Sequence, residues 1–171
     1  LHTTAHSHDR IMVIEVMGHK AGWLGLFAGV AGGGDVILLP EIPYRIESIA
    51  AHLKKRQKQG KVFSIVVVAE GAKNMEESLM DKKTFKKSRM NMQNSIGYRV
   101  AHELEEATGM ESRVTVLGYL QRGGTPVCYD RVLATELGAA AAHMLARGES
   151  GKMVALQNSV VVGVPLEDVA G

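Results

Sequence analysis

Cysteine is almost absent from this chain: Cys128 is the single one among 171 residues. No intrachain disulfide is available, which excludes a disulfide-stapled scaffold and suits a reducing compartment such as the cytoplasm. Cys128 itself is expected to be a small buried apolar residue rather than a working thiol. Long hydrophobic runs are also lacking; none reaches the roughly 20 residues that cross a bilayer, so no membrane partner is expected. An excess of one charge is missing as well. The formal net charge of +2 is too small to mark a nucleic-acid binder. The chain starts at Leu1, without Met and without a basic-then-apolar leader, and is expected to be a fragment of a longer protein.

Several motifs are absent too. There is no Gly-x-x-x-x-Gly-Lys-[Ser/Thr] phosphate loop, no Ser-His-Asp or Cys-His pattern, and no internal repeat. His2, His6 and His8 invite a metal reading, with His2 and His6 on one helical face. No carboxylate or cysteine pattern accompanies them, so no metal site is expected. The basic stretches 54–58 and 82–89 read as solvated surface.

Apolar residues make up 46% of the chain, enough for a packed core. The pattern alternates strand and helix. Strands are expected at 11–16, 36–39, 62–69 and in the run beginning at Arg113, with short strands at 153–157 and 160–164. Helices are expected at 23–31, 46–59, 95–108 and 129–147. Gly32-Gly33-Gly34 follows a helix, so it reads as a helix stop and not a phosphate loop. The polar, Met-rich stretch 73–92 reads as a long mobile loop or surface excursion. Strands that are apolar on both faces belong in a mainly parallel sheet covered by helices. The fold class is therefore α/β, a three-layer sandwich.

Ligands of such sheets sit beyond the C-terminal strand ends. That rule gathers Met17-Gly18-His19, Glu41, Glu70 and the segment Tyr119–Arg122 into one region. The run from Arg113 to Arg131 is the most informative. It goes from strand to Gly123-Gly124, passes Pro126 and enters a helix, with Arg122 at the turn. Arg122 suits capture of a phosphate or sulfate, or else an ion pair with Glu136 or another helix carboxylate. Glu70 suits the hydroxyls of a sugar, or else a helix cap or solvated turn. Arg10 and Arg113 precede their strands and so lie at the opposite edge. A ligand they reach is more naturally one held by a neighbouring subunit.

The sequence resembles the 6-phosphofructokinase family. The residues that carry the resemblance are Arg10 through Gly22 (RIMVIEVMGHKAG), Ala31-Gly-Gly, Leu39-Pro-Glu-Ile-Pro43, Val66-Val-Val-Ala-Glu-Gly71 and the run Arg113–Arg131. They occur in order, and the match extends from about residue 1 to 165. Pro-Glu-Ile-Pro and Gly-Trp look like the branch that mixes ATP-dependent and pyrophosphate-dependent members. The resemblance implies transfer of a phosphoryl group from ATP or pyrophosphate, with Mg2+, to the 1-hydroxyl of fructose 6-phosphate. It implies that Glu70 binds the sugar, that Met17, Gly18 and His19 line its pocket, and that Tyr119 and Arg122 hold the 6-phosphate. It implies that Arg10 and Arg113 reach a neighbour's sugar phosphate in a homo-oligomer, dimer or tetramer. Gly33, Asp35 and Lys61 fall near the family's effector pocket.

Two departures stand out: His19 replaces the family's usual arginine, and Tyr119 its usual histidine. Larger segments are missing, including the donor loop, the Gly-Gly-Asp-Asp segment and the Thr-Ile-Asp-Asn-Asp segment. These carry the general base and the magnesium ligands. The chain therefore looks like the C-terminal half of the enzyme. Residues 1–122 correspond to the sugar-phosphate-binding lobe, and 123–171 to a return segment that would belong to the absent donor (nucleotide) lobe. The helix at 129–147 is expected to pack non-natively, swap into another chain, or be held by a partner. No catalytic residue is expected here, and the isolated chain is expected to be inactive. The alternative is a non-catalytic sugar-phosphate-binding or assembly subunit.

Overall fold

The two most continuously apolar stretches form the centre of a sheet. In a computed structural model, which describes residues 10–90 and 95–170, β1 (Ile11–Val16) and β3 (Ser64–Ala69) are buried along their whole length. They pair in parallel, from Ile11 opposite Ser64 to Val16 opposite Ala69. β2 (Val36–Leu38) lies outside β3, and β4 (Ser112–Val116) outside β1. The order is β2-β3-β1-β4, all parallel. The β-branched residues of these strands suit such a doubly covered surface.

The helices of this unit are α1 (Trp23–Ala31), α2 (Ile46–Lys58), α3 (Met75–Leu79), α4 (Lys82–Met90) and α5 (Ile96–Thr108). α2 and α5 cover one face, where Ile49, Leu53, Val100 and Leu104 meet Ile11, Val13, Val66 and Val68. Burying each Leu or Val stabilises the fold by roughly 1.5–3 kcal/mol. α1 covers the other face and packs closely through glycine. A Cβ on Gly29 would stand 2.6 Å from Cδ1 of Ile37. The expected three layers are thus present in this unit.

Glycines end α1 as the sequence indicates. Gly33 takes a left-handed φ of +68°, Gly33 N–H donates to Val30 O, and Gly34 N–H donates to Gly29 O at 2.7 Å. This paired closure of a helix end leaves no phosphate-loop role for the three glycines.

The stretch read as a long loop contains α3 and α4 instead. Asn74 and Glu77 cap α3 reciprocally: Glu77 N–H donates to Asn74 Oδ1 at 2.8 Å, and Asn74 N–H to Glu77 Oε2 at 3.1 Å. Asp81 caps α4 by accepting from the N–H groups of Lys83 and Thr84. Such caps supply partners for N–H groups that a helix start leaves open. Residues 91–92 of that expectation lie outside the described residues, as do His2, His6 and His8.

The chain divides into two compact units, Leu1–Arg122 and Gly123–Gly171. The second contains α6 (Cys128–Ala146) and a two-stranded antiparallel hairpin of β5 (Lys152–Gln157) and β6 (Val160–Pro165). Asn158 and Ser159, both with positive φ, form the hairpin turn, a conformation that matches strand twist. Met144 is the buried residue of α6 and packs near Gly163. Cys128 is exposed, contrary to expectation. It opens a helix whose apolar residues Tyr129, Val132 and Leu145 are themselves exposed. No described helix is long and apolar enough to cross a membrane.

Candidate functional cleft at the C-terminal sheet edge

The site follows from the topology. β1 and β3 are neighbours, but the chain leaves β1 toward α1 on one face. It leaves β3 toward the side of α2 and α5. Adjacent parallel strands whose exits diverge open a crevice beyond their C-terminal ends. The loop after β1 (17–22) and the loop after β3 (70–74) border this crevice.

Three side chains from separate segments hold the first loop by its backbone. Gln121 Oε1 accepts from Met17 N–H at 3.1 Å, Glu70 Oε1 from Gly18 N–H at 3.4 Å, and Glu41 Oε1 from Gly22 N–H at 2.8 Å. Gly18 has a φ of +139°, in which a side chain would be strained. The two loops also touch directly: Gly71 N–H donates to Gly18 O at 3.0 Å. A Cβ on Gly71 would fall 2.0 Å from His19 O, so only glycine fits there.

Beyond these loops lies a cleft of about 980 Å³. Its walls include His19, Lys20, Pro40, Glu70, Gly71, Lys73, Lys82, Phe85, Lys86 and Arg89. Glu70 is the one carboxylate among these, against four lysines and an arginine. Phe85 lies under two cations, Lys73 Nζ at 4.6 Å and Arg89 Cζ at 5.2 Å from the ring centre.

A buried polar hub fastens the cleft wall. Arg99 grips Glu77 with both ends of its fork, at 2.6 and 2.9 Å, and also donates to Tyr44 Oη at 2.9 Å. Arg89 reaches the same carboxylate at 3.4 Å and donates to the backbone oxygens of Ala72 and Glu70. The hub thereby joins α4 to the loop that bears Glu70. Burial pushes the Glu77 carboxyl up, but the hydrogen bonds from Arg99 and the charges of Arg89 and Arg99 outweigh it. The group is left below its ordinary value of 4.5. Burial pushes the Tyr44 hydroxyl up to about 12, against the opposing pull of Arg99. A further carboxylate, Glu15 on β1, accepts from Gly97 N–H at the start of α5 at 2.7 Å.

Among the residues expected from the sequence, Met17, Gly18, His19 and Glu70 come together here. Tyr119 and Arg122 sit exposed on the adjacent turn, Gly118–Arg122, which also presents Gln121 to Met17. Arg10 and Arg113 lie at the other edge of the sheet, where both pair with Glu111; Arg10 Nε is 2.6 Å from it. Gly33, Asp35 and Lys61 are at that edge too. Asp35 pairs with Arg56 at 2.6 Å and accepts from Ile65 N–H at 2.8 Å, so its carboxylate is engaged within the fold. Arg56, part of a basic stretch read as solvated surface, has this structural partner. Gln121 lay in the gathered segment 119–122 but was given no role; Lys82, Lys86 and Arg89 belong to the stretch read as solvated surface and line the cleft instead; Lys73, Phe85 and Glu77 went unrecognised in the sequence. The usable signals were Asn74-x-x-Glu77 and Asp81 as caps, and Lys82 and Lys86 one helical turn apart. Among the described residues, no three or more His, Cys, Asp or Glu side chains are arranged to hold a metal ion.

Comparison with known proteins gives a consistent picture. A family model described as phosphofructokinase matches residues 1–145. The ATP-dependent 6-phosphofructokinase of Spirochaeta thermophila is 66% identical over 171 residues, covering 99% of this chain and 47% of that protein. ATP-dependent 6-phosphofructokinase 3 of Bacteroides thetaiotaomicron is 50% identical, with 100% and 46% covered. The chain thus spans about half the length of these curated relatives. Among solved structures, phosphofructokinase from Saccharomyces cerevisiae superposes with a TM-score of 0.79 at 31% identity, over 98% of this chain and 21% of that one. A pyrophosphate-dependent phosphofructokinase from Marinobacter aquaeolei gives 0.72 at 23% identity, over 99% and 42%, a likeness of fold alone.

Proposed function

We infer, for a chain that belongs to the phosphofructokinase family, that its cleft is the acceptor side of a phosphoryl transfer to the 1-hydroxyl of fructose 6-phosphate. The observation that carries this reading is the meeting of Glu70, His19 and Lys20 in one crevice beyond β1 and β3. A carboxylate accepts hydrogen bonds from sugar hydroxyls, and cations pair with a phosphate ester. The loop pinned by Glu41, Glu70 and Gln121 offers a fixed backbone against the sugar ring. Such preorganisation is what positioning of an acceptor requires.

The names of the curated relatives favour ATP as the donor. In the transfer, the 1-hydroxyl oxygen bonds to the donor's terminal phosphorus. The bond from that phosphorus to the rest of the donor breaks, and the hydroxyl proton passes to a base. Mg2+, when bound, would neutralise the charge on the transferred phosphoryl group. The base, the metal and the donor pocket are assigned to sequence outside these 171 residues. Residues 1–122 act as the sugar lobe, and 123–171 belong with the donor side. Tyr119 and Arg122 take the 6-phosphate of the same subunit. Arg10 and Arg113 serve a neighbouring copy in a cytoplasmic homo-oligomer, while Gly33, Asp35 and Lys61 mark an effector region.

Calorimetric titration of the chain tests this reading. Fructose 6-phosphate is expected to bind, and Glu70→Gln to weaken it by about tenfold or more, one charge-assisted hydrogen bond's worth. Equal affinity in the variant would remove Glu70 from the site. In a coupled assay with ATP and then pyrophosphate, the chain alone is expected to show no turnover. Turnover would place the donor site within it.

A further inference from the structure

The acceptor reading uses Glu70, His19 and Lys20, but not the helical wall opposite them. Lys82 and Lys86 stand at i and i+4 on α4, and both line the cleft. Like charges at that spacing repel each other and weaken the helix that carries them. Among the described residues, neither has a carboxylate at ion-pair distance, and the same holds for Lys20 and Lys73. Five of the seven arginines of this unit differ: Arg10, Arg56, Arg89, Arg99 and Arg113 have carboxylate partners, while the exposed Arg45 and Arg122 have none at ion-pair distance among the described residues.

The wall is also anchored. Arg89 ties the end of α4 to the Ala72 and Glu70 carbonyls and to Glu77, and Asp81 caps its start. Lys73 and Arg89 hold Phe85 between the helix and the loop after β3. An anchored helix that turns a repelling lysine pair into a cleft with a single carboxylate is arranged for an anion. A cleft lined by one sign of charge concentrates counter-charged ligands.

We propose that α4 is a second phosphate-binding wall of the cleft, in which Lys82 and Lys86 together take a phosphate group. The ligand class is a phosphate ester or a diphosphate, so the group comes from the acceptor sugar or from the donor. The inference rests on the acceptor reading for its location, and on the lysine pair for its chemistry.

The experiment titrates the full chain with fructose 6-phosphate, inorganic phosphate and pyrophosphate in three forms. These are the unaltered chain, Lys82→Gln/Lys86→Gln, and Lys83→Gln/Lys87→Gln, which removes equal charge from α4 positions that do not line the cleft. Gln keeps helix propensity, and circular dichroism checks that the fold persists. The expected result is a loss of about tenfold or more for the cleft pair with at least one ligand, and a change under about twofold for the control pair. Loss with fructose 6-phosphate assigns the sugar's phosphate, and loss confined to pyrophosphate assigns the donor's. Equal effects of the two pairs, or none from either, overturn the proposal while leaving fructose 6-phosphate binding as support for the acceptor reading. If fructose 6-phosphate does not bind but pyrophosphate does, in a Lys82- and Lys86-dependent way, the acceptor reading fails and the wall stands. If none of the three ligands binds the unaltered chain, both fail.

Discussion

The two edges of the same four-stranded sheet handle charge in opposite ways. At the N-terminal edge the arginines are matched: Glu111 holds Arg10 and Arg113, and Asp35 holds Arg56, although Lys61 has no carboxylate at ion-pair distance among the described residues. At the C-terminal edge Lys20, Lys73, Lys82 and Lys86 surround one carboxylate, Glu70, whose oxygen already accepts from Gly18 N–H. Matched cations stabilise local structure, and a surplus of cations in a concave site calls for an anion from outside. The difference separates an edge whose arginines are held within the fold from a concave edge whose lysines lack carboxylate partners.

The C-terminal edge depends on a buried hub, so breaking that hub should have the largest effect. Glu77→Ala leaves Arg89 and Arg99 without their shared carboxylate in a site where Glu77 is only 4% exposed. Removing one partner of such a group is expected to cost roughly 3–5 kcal/mol, read from urea unfolding. A loss below about 1 kcal/mol, the range of exposed pairs, would show that the hub does not hold the wall. The same group sets a pH dependence. Its folded value is depressed, so the folded chain binds fewer protons than the unfolded chain. The stability it contributes is present above its ordinary value of 4.5 and is lost as pH falls through the folded value. The gap in melting temperature between the unaltered chain and Glu77→Gln is therefore expected to narrow on acidification below that point.

The N-terminal edge should respond far less. Arg113 and Glu111 are about half exposed, with 52% and 46% of their side-chain surface open. Exposed ion pairs contribute about 0–1 kcal/mol, so Glu111→Gln is expected to shift stability by no more than that. It is also expected to strengthen inorganic phosphate binding at this edge, because it frees two arginine forks. If the variant unfolds readily, or gains no phosphate affinity, the matched-charge description of this edge is wrong.

Much of this was legible in the sequence because burial writes itself into pattern. The runs 11–16 and 62–69 read as strands apolar on both faces and became the central strands, the second starting at Ser64, and the rule of C-terminal strand ends led from them to Gly18, His19 and Glu70. The wall was not legible by the same route. α3 and α4 carry no apolar stripe; caps at Asn74 and Asp81 and a polar hub around Glu77 hold them, and hydrophobic periodicity does not register these. Gln121 escaped for a related reason, since an amide that accepts from the backbone of a distant loop leaves no local signature. Cys128 was misplaced because composition speaks for an average cysteine, whereas this one starts a helix with little buried surface.

The most direct test of the account is residue-resolved: backbone amide NMR shifts during titration with fructose 6-phosphate, with fructose as the control lacking a phosphate. The expected result is perturbation of Gly18, His19, Glu70 and Gly71 together with α4 from Lys82 to Arg89. Fructose is expected to leave α4 unmoved, and residues 33–35 are expected to stay still with either ligand. Shifts gathered at Arg10, Glu111 and Arg113, with α4 and Glu70 silent, would contradict the assignment of binding to the C-terminal edge.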